Sequence, residues 1–156
     1  MNSRYLALAL LALVATLSKP DEASAAEVTG KTLQADFLVM VSFVPFHFKQ
    51  VNMFYGRDQA YDYSNSKPDK GTIIPINKQY ISDNGDIRSN IVRGNRIEWR
   101  SKSAEFTNIT EFIISGSRCS IKSKTIYHSG ARKGVENNRV TVEYCRVAPG
   151  HVKPTL

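Results

Sequence analysis

The chain has 156 residues and a formal net charge of +7. Without the predicted signal peptide, a length of 131 residues predicts a single domain. Neither of its two cysteines has a second Cys or a His at the close spacing of a zinc site. A Gly-rich phosphate loop and a Gly-x-Ser-x-Gly nucleophile motif are also absent from the sequence. We therefore predict no metal site, no cofactor and no catalytic residue from motifs.

The first predicted element is a cleaved signal peptide at residues 1–25. Arg4 gives a positive start, an apolar run of 13 residues extends from Tyr5 to Leu17, and Ala23-Ser24-Ala25 fits a signal peptidase site. A helix of that length spans roughly 20 Å, which is too short for a hydrocarbon core of about 30 Å. We expect an exported protein, periplasmic or secreted, without a transmembrane segment in the mature chain. A retained membrane anchor is the alternative.

The mature chain has the composition of an all-β domain. From Ala26 onwards it contains 12 Ile and 11 Val against 3 Leu and 6 Ala. Ile and Val are stiff at χ1 and favour strands, whereas Leu and Ala favour helices. We predict one all-β domain at residues 26–148 and a disordered tail at residues 149–156.

The N-terminal half begins with an apolar strand at residues 32–44. Pro45 interrupts it before an alternating segment at residues 46–49, which predicts a bend or bulge at a sheet edge. Residues 56–71 are polar and rich in turn residues, and we interpret them as the longest loop.

A series of hairpins follows. Asp83-Asn84-Gly85 separates two strand-like segments at residues 78–82 and 86–92, and Asn-Gly is the strongest short hairpin signal. Gly94-Asn95 predicts the next tight turn. Three further strands are predicted at residues 107–115, 119–127 and 139–147. We expect a single antiparallel meander that forms a small barrel or a sandwich.

Cys119 and Cys145 are predicted to form one disulfide. An even pair of cysteines in an exported chain most simply makes a bridge. Two free thiols or part of a metal site are the alternatives.

The C-terminal half carries most of the positive charge. Residues 27–87 contain 6 basic and 7 acidic residues, whereas residues 88–156 contain 13 basic and 5 acidic ones. Strand alternation places basic side chains on one face and Ile97, Trp99 and Ile121 on the other. The six candidate binding residues are Arg96, Arg100, Lys102, Arg118, Lys122 and Lys124. We expect a non-catalytic binding protein that contacts an anionic envelope polymer, lipid headgroup or acidic protein, unless the charge serves solubility alone.

Two other functions remain open. A lipocalin-like barrel could hold a small apolar ligand, with Phe37, Val39, Val41 and Phe43 facing inward. A small secreted nuclease could use His47 and His128 as general base and acid beside a cationic group.

Tyr80-Ile81-Ser82, Gly85, Ile87 and the two cysteines resemble a group of small exported bacterial proteins of unknown function. These proteins have a Tyr-Ile-Ser-x-x-Gly hairpin followed by a strand, and two cysteines in the last third. This chain has Asp86 and Arg88 where small or aromatic residues are usual. The resemblance implies an all-β secreted domain with one disulfide, and no activity.

Overall fold

The computed structural model describes residues 28–41, 43–63 and 71–153. The described chain is all-β apart from one 3₁₀ turn at Gly130–Arg132. Its strands are β1 (Lys31–Val41), β2 (Val44–Tyr55), β3 (Gln59–Asp62), β4 (Thr72–Pro75), β5 (Gln79–Ile81), β6 (Ile87–Arg93), β7 (Arg96–Lys102), β8 (Phe106–Ser115), β9 (Arg118–Tyr127), β10 (Glu136–Asn137) and β11 (Val140–Pro149).

The strands form one antiparallel sheet that nearly closes into a barrel. Its order is β4-β3-β2-β1-β11-β9-β8-β7-β6-β5, and β10 pairs separately with β9. The two ends of the sheet meet where Ile76 forms a parallel bridge with Asn90. Asn77 strengthens this junction, because its backbone N–H donates to the Asn90 carbonyl at 2.8 Å and its side-chain oxygen accepts from Val92 N–H at 2.8 Å. The predicted all-β fold is therefore confirmed, in the form of a barrel rather than a sandwich.

A second weak seam lies between β9 and β11. These strands pair only at Arg118 and Arg146. Cys119 and Cys145 lie beside that pair and form a disulfide with their Cα atoms 5.1 Å apart. The predicted disulfide is confirmed, and it joins the two strands where backbone pairing is scarce.

The apolar core fills one end of the barrel, at the β6–β7 and β8–β9 turns. Leu33, Ile97, Phe112 and Val28 are almost completely buried there. We call this the closed end. The opposite end carries the β1–β2, β5–β6 and β7–β8 turns, and we call it the open end.

The hairpins predicted from Asp83-Asn84-Gly85 and Gly94-Asn95 connect β5 to β6 and β6 to β7. The predicted loop at residues 56–71 was wrong in part, because Gln59–Asp62 forms β3 and pairs with both β2 and β4. Pro45 is the second residue of β2, just after the chain has turned back. The bulge that was predicted at Pro45 lies further along β2. The register between β1 and β2 shifts where Gln50 adopts φ 48° and its N–H donates to Asp36.

The structure bears on the prediction for the C-terminal end of the chain but not on the one for the N-terminal end. Residues 1–25 lie outside the described residues, so the signal peptide stays a prediction. Pro149 is the last residue of β11. Beyond it, the Gly150 carbonyl accepts a hydrogen bond from the Thr32 hydroxyl at 2.6 Å, and Val152 N–H donates to that hydroxyl at 3.0 Å. The start of the segment expected to be disordered is therefore docked on β1.

Candidate functional site: the cavity at the open end

A cavity of about 410 Å³ occupies the open end of the barrel. Side chains alternate across a strand, so every second residue of the flanking strands faces this space. Cavities that hold small molecules in proteins usually have volumes of roughly 300 to 1,000 Å³. The cavity therefore has the size of a small-molecule site.

One wall of the cavity is apolar and comes from β1 and β2. It contains Val39, Val41, Phe46, Phe48, Val51 and Met53. Phe48 stacks on the buried Phe37 ring, with the two centroids 4.8 Å apart. Trp99 lies 6.4 Å from the Phe48 centroid and completes an aromatic corner. Such a wall can bury the apolar part of a ligand.

The floor of the cavity is a short hydrogen-bonded chain. Trp99 Nε1–H donates to the Tyr55 hydroxyl at 3.0 Å, and that hydroxyl donates to Asn90 Oδ1 at 3.4 Å. Tyr55 is fully buried, and this burial raises its pKa well above the ordinary value. The tyrosine therefore stays neutral and holds the Trp99 ring in place.

A polar wall of the cavity comes from β8. Asn108 donates to Thr125 Oγ1 at 2.9 Å and to Ser123 Oγ at 3.3 Å, and it accepts from Thr110 Oγ1 at 3.1 Å. Asn108 and Thr110 line the cavity. A cavity with both apolar and polar walls suits an amphipathic molecule.

Charged and phenolic groups lie toward the rim. Arg88 pairs across the sheet with Ser101 and Tyr80, so all three share the inner face, and all line the cavity. Burial raises the pKa of Tyr80, which the nearby Arg88 partly opposes. Asp86 Oδ2 lies 3.8 Å from the Arg88 guanidinium and accepts a hydrogen bond from Asn84 at 2.9 Å.

Three of the four residues expected to face inward in a ligand-binding barrel do so. Phe37, Val39 and Val41 are buried on the inner face of β1. Phe43 is 73% exposed, so its inward placement was wrong. It lies in the β1–β2 turn at φ 64°, and the Arg132 guanidinium lies 3.9 Å from the centroid of its ring.

The six candidate residues of the basic face lie on the outside of the barrel. Pairing through β8 brings β7 and β9 side by side on that surface, with Arg100 opposite Ile109 and Ile109 opposite Lys124. The strands therefore place these residues on one side of the molecule, as alternation predicts.

Ion pairs neutralise half of this basic face. Arg96 lies 3.0 Å from Glu111, Arg100 lies 2.9 Å from Glu98, and Lys124 lies 2.8 Å from Glu136. Within the described residues, no ion pair is made by the remaining three, Lys102, Arg118 and Lys122. The face is thus a mixed surface with three uncompensated positive charges.

The structure does not bring the two candidate nuclease histidines together. His47 Nε2 lies 2.5 Å from Asp36 Oδ1, and this hydrogen bond lowers the pKa of Asp36. His128 Nε2 instead lies 2.7 Å from Thr107 Oγ1. In residues 28–41, 43–63 and 71–153, no hydrogen bond or ion pair links His47 to His128.

Residues missed by sequence reasoning concentrate at the rim of the cavity. Asp62, Tyr80, Arg88 and Asn90 line the cavity but were not candidates. The local sequence of β6 gave no signal for them, because Ile87 is 43% exposed in the structure while Arg88 and Asn90 face inward, the reverse of what their side-chain types predict. A strand that turns isoleucine outward and arginine inward is unusual for a plain core.

No group of three or more His, Cys, Asp or Glu residues in the described chain is arranged to hold a metal ion. Among the same residues, no helix is long and apolar enough to cross a membrane.

Comparison with known proteins finds no protein-family model, no curated protein and no solved structure that matches this chain. The resemblance to small exported bacterial proteins therefore stays an expectation.

Proposed function

We propose that this protein binds a small amphipathic molecule in the cavity at the open end of the barrel. The observation that carries the proposal is the cavity itself, about 410 Å³, with an apolar wall from β1 and β2 and polar side chains from β6, β7 and β8. Protein interiors are close-packed and contain few voids larger than a water molecule. A space of this size is therefore typical of a ligand site and atypical of a structural core.

The location of the protein is part of the proposal. The signal-peptide pattern at residues 1–25 and the Cys119–Cys145 bridge both support export to an oxidising compartment. A soluble carrier or sensor of small molecules in the periplasm or outside the cell fits these features.

The test is binding of the hydrophobic dye N-phenylnaphthylamine, whose emission rises in apolar surroundings. The mature protein should bind one dye molecule per chain. Ser101 lines the cavity on the inner face of β7, so Ser101→Phe should fill the space and weaken binding by at least about tenfold. Ser120→Phe is the matched control, because Ser120 is exposed on β9. Equal binding by both variants would rule out the cavity as the dye site.

A second function, contact with an anionic polymer, is favoured by the placement of Lys102, Arg118 and Lys122. These residues lie on the outer face without ion pairs in the described chain. Such binding should weaken steeply between about 50 and 200 mM salt. Heparin chromatography of Arg118→Glu combined with Lys122→Glu tests it, with Lys49→Glu on β2 as the control. Retention that is unchanged by the double reversal would leave the positive charge as a solubility feature.

A further inference from the structure

We propose that the ligand is uncharged and that its carbonyl oxygen accepts a hydrogen bond from Arg88, while its apolar part lies against Trp99 and Phe48. This inference rests on the proposed function, because it names the chemical class that the same cavity takes.

Arg88 provides an unpaired hydrogen-bond donor at the cavity. Arg88 Nε is buried and has no hydrogen-bond partner in the described chain. The guanidinium approaches Asp86 only to 3.8 Å, which is longer than a hydrogen bond. A buried donor without a partner costs free energy. An acceptor oxygen that enters the cavity beside Arg88 would recover this free energy.

The charges around the cavity select an uncharged acceptor over an anion. Asp62 and Asp86 line the same space as Arg88. Arg100 also borders it, but its side chain lies on the outer face of β7, where Glu98 pairs with it at 2.9 Å. A ligand carboxylate would therefore meet two carboxylates, and Asp86 already offsets the charge of the Arg88 guanidinium at 3.8 Å. A carbonyl group offers Arg88 an acceptor without adding a third negative charge.

The rest of the ligand is defined by the aromatic corner. Trp99, Phe48 and Met53 line the part of the cavity below the rim. Tyr55 holds the Trp99 ring from below, and Phe37 supports the Phe48 ring. Flat or branched apolar groups fill such a corner and gain free energy from the apolar surface that they bury.

Three naphthalene probes of nearly equal size separate the contributions of the hydrogen bond, the ligand charge and the apolar contact. Acetylnaphthalene has a carbonyl, isopropylnaphthalene has the same shape without an acceptor, and naphthoate carries a carboxylate. Their affinities follow from displacement of N-phenylnaphthylamine from the mature protein. Acetylnaphthalene should bind about tenfold more tightly than isopropylnaphthalene, and naphthoate should bind most weakly.

Arg88→Met keeps an apolar stem and removes the donor. It should reduce the affinity for acetylnaphthalene about tenfold and leave the affinity for isopropylnaphthalene unchanged, which also shows that the cavity is intact. Arg93→Met is the matched control, because Arg93 is exposed at the other end of β6. If Arg88→Met fails to fold, the order of the three probes on the unmodified protein still decides.

The outcomes distinguish this inference from the proposed function. If naphthoate binds most tightly, or if Arg88→Met leaves acetylnaphthalene binding unchanged, the uncharged-ligand inference is wrong while the cavity remains a binding site. If none of the probes and no dye binds, the proposed function fails and the inference fails with it.

Discussion

Tyr55 is the residue that connects the packed end of the barrel to the cavity. Its ring is buried in the core, and its hydroxyl bonds both Trp99 and Asn90 at the cavity floor. Replacement by Phe keeps the ring and removes both hydrogen bonds. Tyr55→Phe should therefore disturb the floor of the cavity more than it disturbs the packing of the core.

Tyr55→Phe should lower the free energy of unfolding by about 1–3 kcal/mol, because the Trp99 N–H and the Asn90 oxygen lose a buried partner. Urea denaturation at neutral pH measures this change. Tyr144→Phe, at an exposed position on β11, is the control and should stay within about 0.5 kcal/mol of the unmodified protein. A Tyr55→Phe protein as stable as the control would contradict the described floor.

The raised pKa of Tyr55 also predicts a pH dependence. In the unfolded chain a tyrosine ionises near pH 10, whereas folded Tyr55 keeps its proton to higher pH. The folded state then binds more protons, so the free energy of unfolding should fall as pH rises above about 10. Tyr55→Phe should remove up to about 1.4 kcal/mol per pH unit of that slope. Parallel slopes for the two proteins would show that Tyr55 ionises normally.

Residue patterns predicted the outer face of the barrel better than its interior. The alternation of Arg96, Arg100 and Lys102 with apolar residues correctly placed them on the surface. Arg88 is the opposite case, since an arginine among isoleucines is normally expected to face solvent. Its inward direction is set by pairing with Tyr80 and Ser101, which no local pattern reveals.

At the scale of single elements, the β5–β6 turn is the feature that sequence specified most clearly. Gly85 has φ 83°, a conformation that side chains with Cβ branching resist, and no atom lies near its missing Cβ. Gly85→Val should therefore destabilise the fold by about 1–2 kcal/mol through backbone strain alone. Gly85→Asn should cost less, because Asn tolerates this region. Thermal unfolding of the two variants measures the difference, and a Val variant as stable as the Asn variant would contradict a left-handed turn.

Short polar strands were the elements that sequence did not predict. β3 consists of Gln-Ala-Tyr-Asp, and it is a strand because β2 and β4 lie on both sides of it. Strand formation of this kind depends on neighbours distant in sequence, so local composition indicated a loop.

At the scale of the whole molecule, the barrel depends on two sparse junctions. One is the Ile76–Asn90 bridge, and the other is the β9–β11 seam beside Cys119–Cys145. The disulfide closes a segment with a sequence separation of 26 and should be worth about 3.5 kcal/mol by loop-closure entropy.

Replacing both cysteines by Ala should lower the free energy of unfolding by about 2–4 kcal/mol. Urea denaturation of this variant, beside the unmodified protein with and without reductant, measures the cost. The reduced protein should resemble the variant. A double variant with unchanged stability would mean that the seam holds without the bridge.

The existence of the cavity is a property of the whole molecule and could not be predicted from sequence. Phe48, Met53 and Trp99 have the composition of ordinary core residues, and only their three-dimensional arrangement leaves space between them. The number of cysteines, the hairpin turns and the faces of the strands can be recognised from the local sequence. The interior volume depends instead on how all the strands close into the barrel.

Energy transfer from Trp99 to bound N-phenylnaphthylamine tests whether a ligand enters the barrel. Trp99 is the single tryptophan of the chain and lines the cavity. A dye molecule inside the barrel should therefore quench its emission saturably, at one dye per chain. In Ser101→Phe, which fills the cavity, the quenching should weaken together with direct dye binding. Dye that binds without quenching Trp99, or no binding at all, would contradict a ligand site in this barrel.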